Sequence, residues 1–129
     1  MAAIHSLIVD DQMSNLKVLA KLLEQQGVSY TGLTTSVGVA DEVDQLDHVD
    51  VVFVDLELPG EGGFYDLFYE LRQNPRLNGV PIIAYTVHIS EIDTTRQVGF
   101  DGFIAKPIKA ADFPNLFQRI MNHEQVWVY

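Results

Sequence analysis

Four short apolar runs punctuate the chain: Leu7-Ile8-Val9, Val51-Val52-Phe53-Val54, Ile82-Ile83-Ala84-Tyr85 and Phe103-Ile104-Ala105. They are continuous, not alternating, which is the pattern of parallel strands covered on both faces. A fifth stretch, Val28-Ser29-Tyr30-Thr31-Gly32-Leu33, is more polar and suits an edge strand. Between these runs the apolar positions take helical spacing. Leu16, Leu19, Ala20 and Leu23 recur at i, i+3, i+4 and i+7, with Gly27 where a helix stop belongs. Phe64, Leu67, Phe68 and Leu71 repeat the spacing and end before Asn74-Pro75, because the residue before a proline resists the α region. Phe113, Leu116, Phe117 and Ile120 do so again, with Asp112 as N-cap and Pro114 in the first turn. Val39, Val43 and Leu46 mark a weaker helix in an acidic stretch. The segment from Ser90 to Val98 has an N-cap serine and Gly99 as a stop, but few apolar positions. It predicts a thinly anchored helix.

Successive strands start roughly 20 to 30 residues apart, the span of a βαβ unit. The pattern therefore reads (βα)5, and right-handed crossovers make it a doubly wound, five-stranded parallel sheet of the α/β class. The 129 residues suit one domain, taken here as 1–129 with residues 124–129 as a short tail. A composition 47% hydrophobic and 20% charged excludes disorder. With no cysteine there is no disulfide and no thiolate chemistry. The formal net charge of −10 argues against nucleic acid or anionic membrane as a direct partner and favours divalent cations or basic protein surfaces. The first residues lack the basic and apolar regions of a signal peptide, and no apolar run approaches the roughly 20 residues that span a bilayer. A cytoplasmic protein is the expectation. The tail Val126-Trp127-Val128-Tyr129 either folds back on the domain or meets a partner or second copy.

In open α/β sheets, ligands bind beyond the carboxyl ends of the strands. The residues found there are Asp10-Asp11, Asp55, Thr86 and Lys106-Pro107. Singly, each is an ordinary loop residue. Together they bring three carboxylates, a hydroxyl and an ammonium to one sheet edge. Two carboxylates 4 Å apart repel by about 4 kcal/mol at an effective dielectric of about 20, and a divalent cation relieves that. Oxygen ligands without His or Cys point to Mg²⁺, which Mn²⁺ can replace. A carboxylate beside Mg²⁺ and a lysine is equipped for phosphoryl transfer: the Asp oxygen is the nucleophile, and metal and ammonium neutralise the phosphoryl oxygens.

These motifs resemble the receiver domain of two-component response regulators along essentially the whole chain. The matching residues are Val9-Asp10-Asp11 with Asn15, Asp55-Leu56-Glu57-Leu58-Pro59 with Gly62-Gly63, Tyr85-Thr86, and Lys106-Pro107. The resemblance implies a flavodoxin-like sheet of strand order 2-1-3-4-5 with Asp55 as phosphoacceptor. It implies Mg²⁺ held by Asp11, Asp55 and the Glu57 backbone carbonyl, with Asp10 acting through a water. Lys106 would pair with the phosphoryl group, Thr86 would report it, and Phe103 would be the switch aromatic, turning inward as Thr86 moves. It further implies a cis Lys106–Pro107 bond and a histidine kinase or histidine phosphotransfer protein as donor. A downstream protein target of unknown identity would read the switch, and a homodimer is one arrangement open to it. No output segment follows the last helix, so a stand-alone receiver without an enzyme of its own is expected. Val87 departs from the small residue usual there. With Glu57 and His88 it forms an expected gate at the mouth of the site. Glu57 either orients the hydrolytic water and speeds loss or pairs with His88 to close its approach, and closure is the expectation.

Two rivals use similar residues. An aspartate-nucleophile phosphatase also joins Asp, Lys and Mg²⁺, but it resembles a D-x-D arrangement with a cap. A flavodoxin-type flavin module would have its phosphate repelled by Asp10-Asp11. A receiver-like module that binds partners without phosphorylation is the third alternative.

Overall fold

A computed structural model describes residues 3–58 and 63–128. Pro59 and Gly62 of the expected motif, and Tyr129 of the tail, lie outside the described residues. The strands are β1 (His5–Val9), β2 (Ser29–Leu33), β3 (Val51–Asp55), β4 (Ile82–Thr86), β5 (Gly102–Ala105) and β6 (Val126–Val128). The helices are α1 (Met13–Gln25), α2 (Val39–Gln45), α3 (Gly63–Gln73), α4 (Ile92–Val98) and α5 (Phe113–Met121). All strand pairs are parallel, and the sheet order is β2-β1-β3-β4-β5-β6.

Continuous apolar strands follow from this arrangement, because successive side chains point into opposite helical layers. Leu7, Val9, Val52, Val54, Ile82, Ala84 and Phe103 face the layer of α2, α3 and α4. Ile8, Val51, Phe53, Ile83, Tyr85 and Ile104 face α1 and α5. Strands β3 and β4 are buried at every position, whereas β2, at the edge, is not buried at any. The edge assignment and the helical stripes thus hold.

Three local expectations change. The sheet has six strands, not five: the tail folds back and extends it beside β5, in the register Gly102↔Val126, Phe103↔Trp127, Ile104↔Val128. Val126 and Val128 pack toward α5 and Trp127 toward α4, so a three-residue alternation is enough once a sheet edge is there to receive it. Ser90 is not an N-cap; residues 89–91 form a 3₁₀ turn and α4 begins one residue after it, at Ile92, with Thr95 as its buried residue. Gly99 does end α4, at φ 114°, a value only glycine adopts cheaply. Asp112 occupies the N-cap position of α5, but its side chain makes no capping hydrogen bond. No described helix is long and apolar enough to cross a membrane.

Candidate functional site

Strands β1, β3, β4 and β5 are neighbours, so the residues at their carboxyl ends meet. Asp55 and Thr86 are the last residues of β3 and β4, and Asp10 and Lys106 directly follow β1 and β5. Three of these ends turn alike, each side chain accepting the backbone N–H two residues on. Asp10 Oδ1 accepts from Gln12 at 2.9 Å, Asp55 Oδ1 from Glu57 at 3.1 Å and Thr86 Oγ1 from His88 at 3.2 Å. Such local bonds are why Asp and Thr suit strand ends, and they fix the side chains before any ligand arrives.

Asp10 and Asp55 are buried, at 0% and 1% exposure, while Asp11 is exposed. The Lys106 ammonium bridges the buried pair, 3.1 Å from Asp10 Oδ2 and 3.2 Å from Asp55 Oδ2. Burial pushes the Asp55 carboxyl up to about 6; the Glu57 N–H and Lys106 pull against that, and Asp10 adds repulsion. Burial also pushes Asp10 up, but there the bonds from Gln12, Tyr85 and Lys106 win and hold it below its ordinary value. The pair thus divides into one carboxylate held charged and one that titrates far more easily.

One oxygen each from Asp10, Asp11 and Asp55 lies within 4.8 Å of the others. With Lys106 as the cation among them, the cluster is two negative charges in excess, the charge of one divalent ion. The donors are all oxygen, which fits a hard cation such as Mg²⁺.

Around this floor stand the remaining expected residues. His88 Nε2 lies 2.6 Å from Glu57 Oε1, and Val87 beside them is 55% exposed. Lys106–Pro107 is cis. Phe103 is fully buried in β5, opposite Trp127 of β6.

Two residues without an assigned role in the sequence reading also belong here. Tyr85, buried in β4, donates its hydroxyl to Asp10 Oδ2 at 2.7 Å, and Lys106 Nζ sits 4.4 Å above its ring centre. Burial, then the bond to Asp10, raise the phenol well above its ordinary value, so it remains a donor. The available signal was a hydroxyl inside an apolar run, which has to find a buried partner. Trp127 of β6 lies beside Phe103, and the Arg96 guanidinium of α4 stacks 4.6 Å from its ring centre.

A family model for the response regulator receiver domain matches residues 6–118. Stress response regulator protein 1 of Meyerozyma guilliermondii is 34% identical over 111 residues, covering 83% of this chain and 50% of that protein. Hybrid signal transduction histidine kinase L of Dictyostelium discoideum is 28% identical over 120 residues, covering 88% of this chain and 7% of that protein. The chain thus spans half or less of these two curated relatives. Among solved structures, the receiver domain of sensor histidine kinase PA1611 from Pseudomonas aeruginosa PAO1 matches with a TM-score of 0.80 at 25% identity. The match covers 94% of this chain and 99% of that one, whose active site cleft coordinates a magnesium ion. Sequence match, strand order and the gathering of Asp10, Asp55, Thr86 and Lys106 at one edge agree: this chain belongs to the response regulator receiver domain family of two-component systems.

Proposed function

We propose that this receiver accepts a phosphoryl group on Asp55 from a phosphohistidine of a histidine kinase or histidine phosphotransfer protein, in a Mg²⁺-dependent reaction. The observation that carries the reading is the placement of Asp55. Its carboxylate is buried at the end of β3, yet it lies 3.2 Å from an ammonium and within 4.8 Å of two more carboxylates. A nucleophile with one oxygen tied to Lys106 and the other to a backbone N–H is held in one orientation, which is what an in-line displacement needs.

An Asp55 oxygen attacks phosphorus and the new P–O bond forms as the donor's P–N bond breaks. The freed imidazole nitrogen keeps the electron pair and takes a proton from solvent. Asp11, Asp55 and the Glu57 carbonyl would hold the metal, with Asp10 behind a water. The bound ion supplies neutralising charge on the phosphoryl oxygens. Lys106 loses its bond to Asp55 and pairs with the phosphoryl group while keeping Asp10. Thr86 Oγ1 accepts from His88 N–H, which leaves its O–H free to donate to a phosphoryl oxygen. Thr86 would act on Phe103 and on the thinly held α4, and a downstream protein would read that surface.

The test is incorporation of label from a phosphorylated donor protein with Mg²⁺ present. Wild type should take up one phosphoryl group per chain, and Asp55→Asn should take up none. Labelling of Asp55→Asn at the wild-type rate overturns the assignment, and repeated turnover of a phosphate ester would favour a phosphatase instead. Amide NMR spectra with and without beryllofluoride should differ across residues 86–98. Changes confined to Asp10, Asp11 and Asp55 would refute the readout.

A further inference from the structure

Tyr85 brings a hydroxyl into a fully buried strand, and it touches both charged partners of the site floor. A carboxylate offers about four acceptor positions. On Asp10, Oδ1 accepts the Gln12 N–H, while Oδ2 accepts both the Tyr85 hydroxyl and Lys106 Nζ. Three of the four positions are filled, and both of those on Oδ2. Asp55 accepts one bond on each oxygen, from Glu57 N–H and from Lys106, and keeps a position open on each. Asp11 is exposed to whatever solvent brings. The three carboxylates are therefore unequal as metal ligands, and Tyr85 is what separates Asp10 from the others.

We propose that Tyr85 is a positioning residue that keeps Asp10 from ligating the divalent cation directly. Its phenol fills the second acceptor position of Oδ2, and its ring carries Lys106 against the same oxygen. Asp10 is left to act through water, with Lys106 held between it and the acceptor. The inference rests on the reading of this site as a Mg²⁺-dependent phosphoacceptor.

Removing the hydroxyl alone has a definite sign. Phenylalanine at position 85 keeps the ring under Lys106 but opens one position on Oδ2 and leaves that oxygen more negative. Asp10 stays oriented by Gln12 and Lys106, so the gain in donor strength outweighs the loss of order. Mg²⁺ should bind Tyr85→Phe about tenfold more tightly, the scale of one hydrogen bond to a charged group. Asp10 then competes for the ion, so phosphorylation at saturating Mg²⁺ should be slower than in wild type.

Calorimetric titration with MgCl₂ alone tests this on wild type, Tyr85→Phe, Asp10→Asn and the double variant. Tyr85→Phe should tighten binding in the wild-type background and change nothing in the Asp10→Asn background, since Tyr85 acts through Asp10. Initial rates with phosphoramidate should show a lower half-saturating Mg²⁺ together with a lower plateau, a split that general loosening of the fold does not produce. Equal Mg²⁺ affinity in wild type and Tyr85→Phe overturns the proposal, as does an effect of equal size without the Asp10 carboxylate. Failure of wild type to take up Mg²⁺ would refute the metal site itself, and the role of Tyr85 with it.

Discussion

The side chains of Glu57 and His88 meet across the mouth of the site, with Nε2 2.6 Å from Oε1. Both are largely in water, and an exposed pair of this kind adds little to stability. Its consequence is steric. Glu57, which His88 holds, and Val87 border a groove of about 260 Å³ whose other walls include Tyr85 and Lys106. Loss of the phosphoryl group needs a water in line with the bond to Asp55, and whatever fills that approach slows it. Phospho-Asp55 should therefore decay about threefold faster or more in Val87→Ala and in His88→Ala than in wild type. The measurement is loss of label after the donor is removed. If Val87→Ala decays no faster, these side chains do not gate the water.

How far the sequence alone leads depends on the range of the interaction. Continuous runs such as Val51–Val54 announce a strand with two covered faces, and every residue following such a run falls at the same sheet edge. That made Asp10, Asp55, Thr86 and Lys106 legible together. The Glu57–His88 pair was legible too, because both side chains are long and both flank strand ends. The bond from Tyr85 to Asp10 was not: the residues are 75 apart, and periodicity reports that Tyr85 is buried without saying what its hydroxyl meets. Strand β6 was hidden for another reason. Three residues carry too little pattern to distinguish a sheet extension from a partner-binding tail. The true start of α4 was obscured by Ser90, a good cap in isolation that here lies inside a 3₁₀ turn.

The raised Asp55 carboxyl makes the metal-free fold sensitive to pH. Its value goes from 3.8 to about 6 on folding, with burial as the main cause. Between those values the native state holds a proton that the unfolded chain has released, so this group's contribution to stability falls as pH rises through that window. Above it the cost is on the order of 3 kcal/mol. Asp10 shifts downward, so its own effect lies at lower pH. Without metal at pH 7, Asp55→Asn should be more stable than wild type by about 2 kcal/mol, and the gap should shrink toward pH 5. Urea denaturation across this range checks it. A gap that does not vary with pH would show that charge on Asp55 is not the source.

At the opposite end of the sheet, Arg72 ties three segments together. Its guanidinium donates to Asp101 Oδ2 at 3.0 Å and to the carbonyls of Leu77 and Val80, each at 2.9 Å. Asp101 Oδ2 also accepts the Ile82 N–H at 2.8 Å, so the arginine supports the entry to β4 as well. Arg72→Met keeps much of the stem and removes every donor. It should cost about 2 to 3 kcal/mol in urea denaturation, the scale of a few hydrogen bonds involving charged groups. Mg²⁺ binding to the folded protein should not change. A change there would mean that this end of the sheet communicates with the site.

Strand β6 lies beyond the part of the chain that matches the family model, yet β5 is shaped to receive it. Gly102 pairs with Val126, and a Cβ at Gly102 would lie 2.8 Å from the Val126 carbonyl oxygen and 3.0 Å from Ile83 Cδ1. The Ile83 methyl is the end of a flexible side chain and can turn aside. The carbonyl belongs to the backbone of β6, so the strand itself has to move. Gly102→Ala should therefore loosen β6, at a cost of about 1 to 3 kcal/mol for the overpacked contact. Trp127 is the chain's one tryptophan, half-buried against the α4 layer, and its emission should shift to the red as it leaves Arg96 and the flank of Phe103. Two sources of strain, β6 and Ile83, are separated by a double-mutant cycle with removal of residues 126–129. If β6 is the obstacle, Gly102→Ala costs much less once the strand is gone. If the cost is the same with and without it, the strain comes from Ile83, and the glycine serves the core of the sheet instead of its sixth strand.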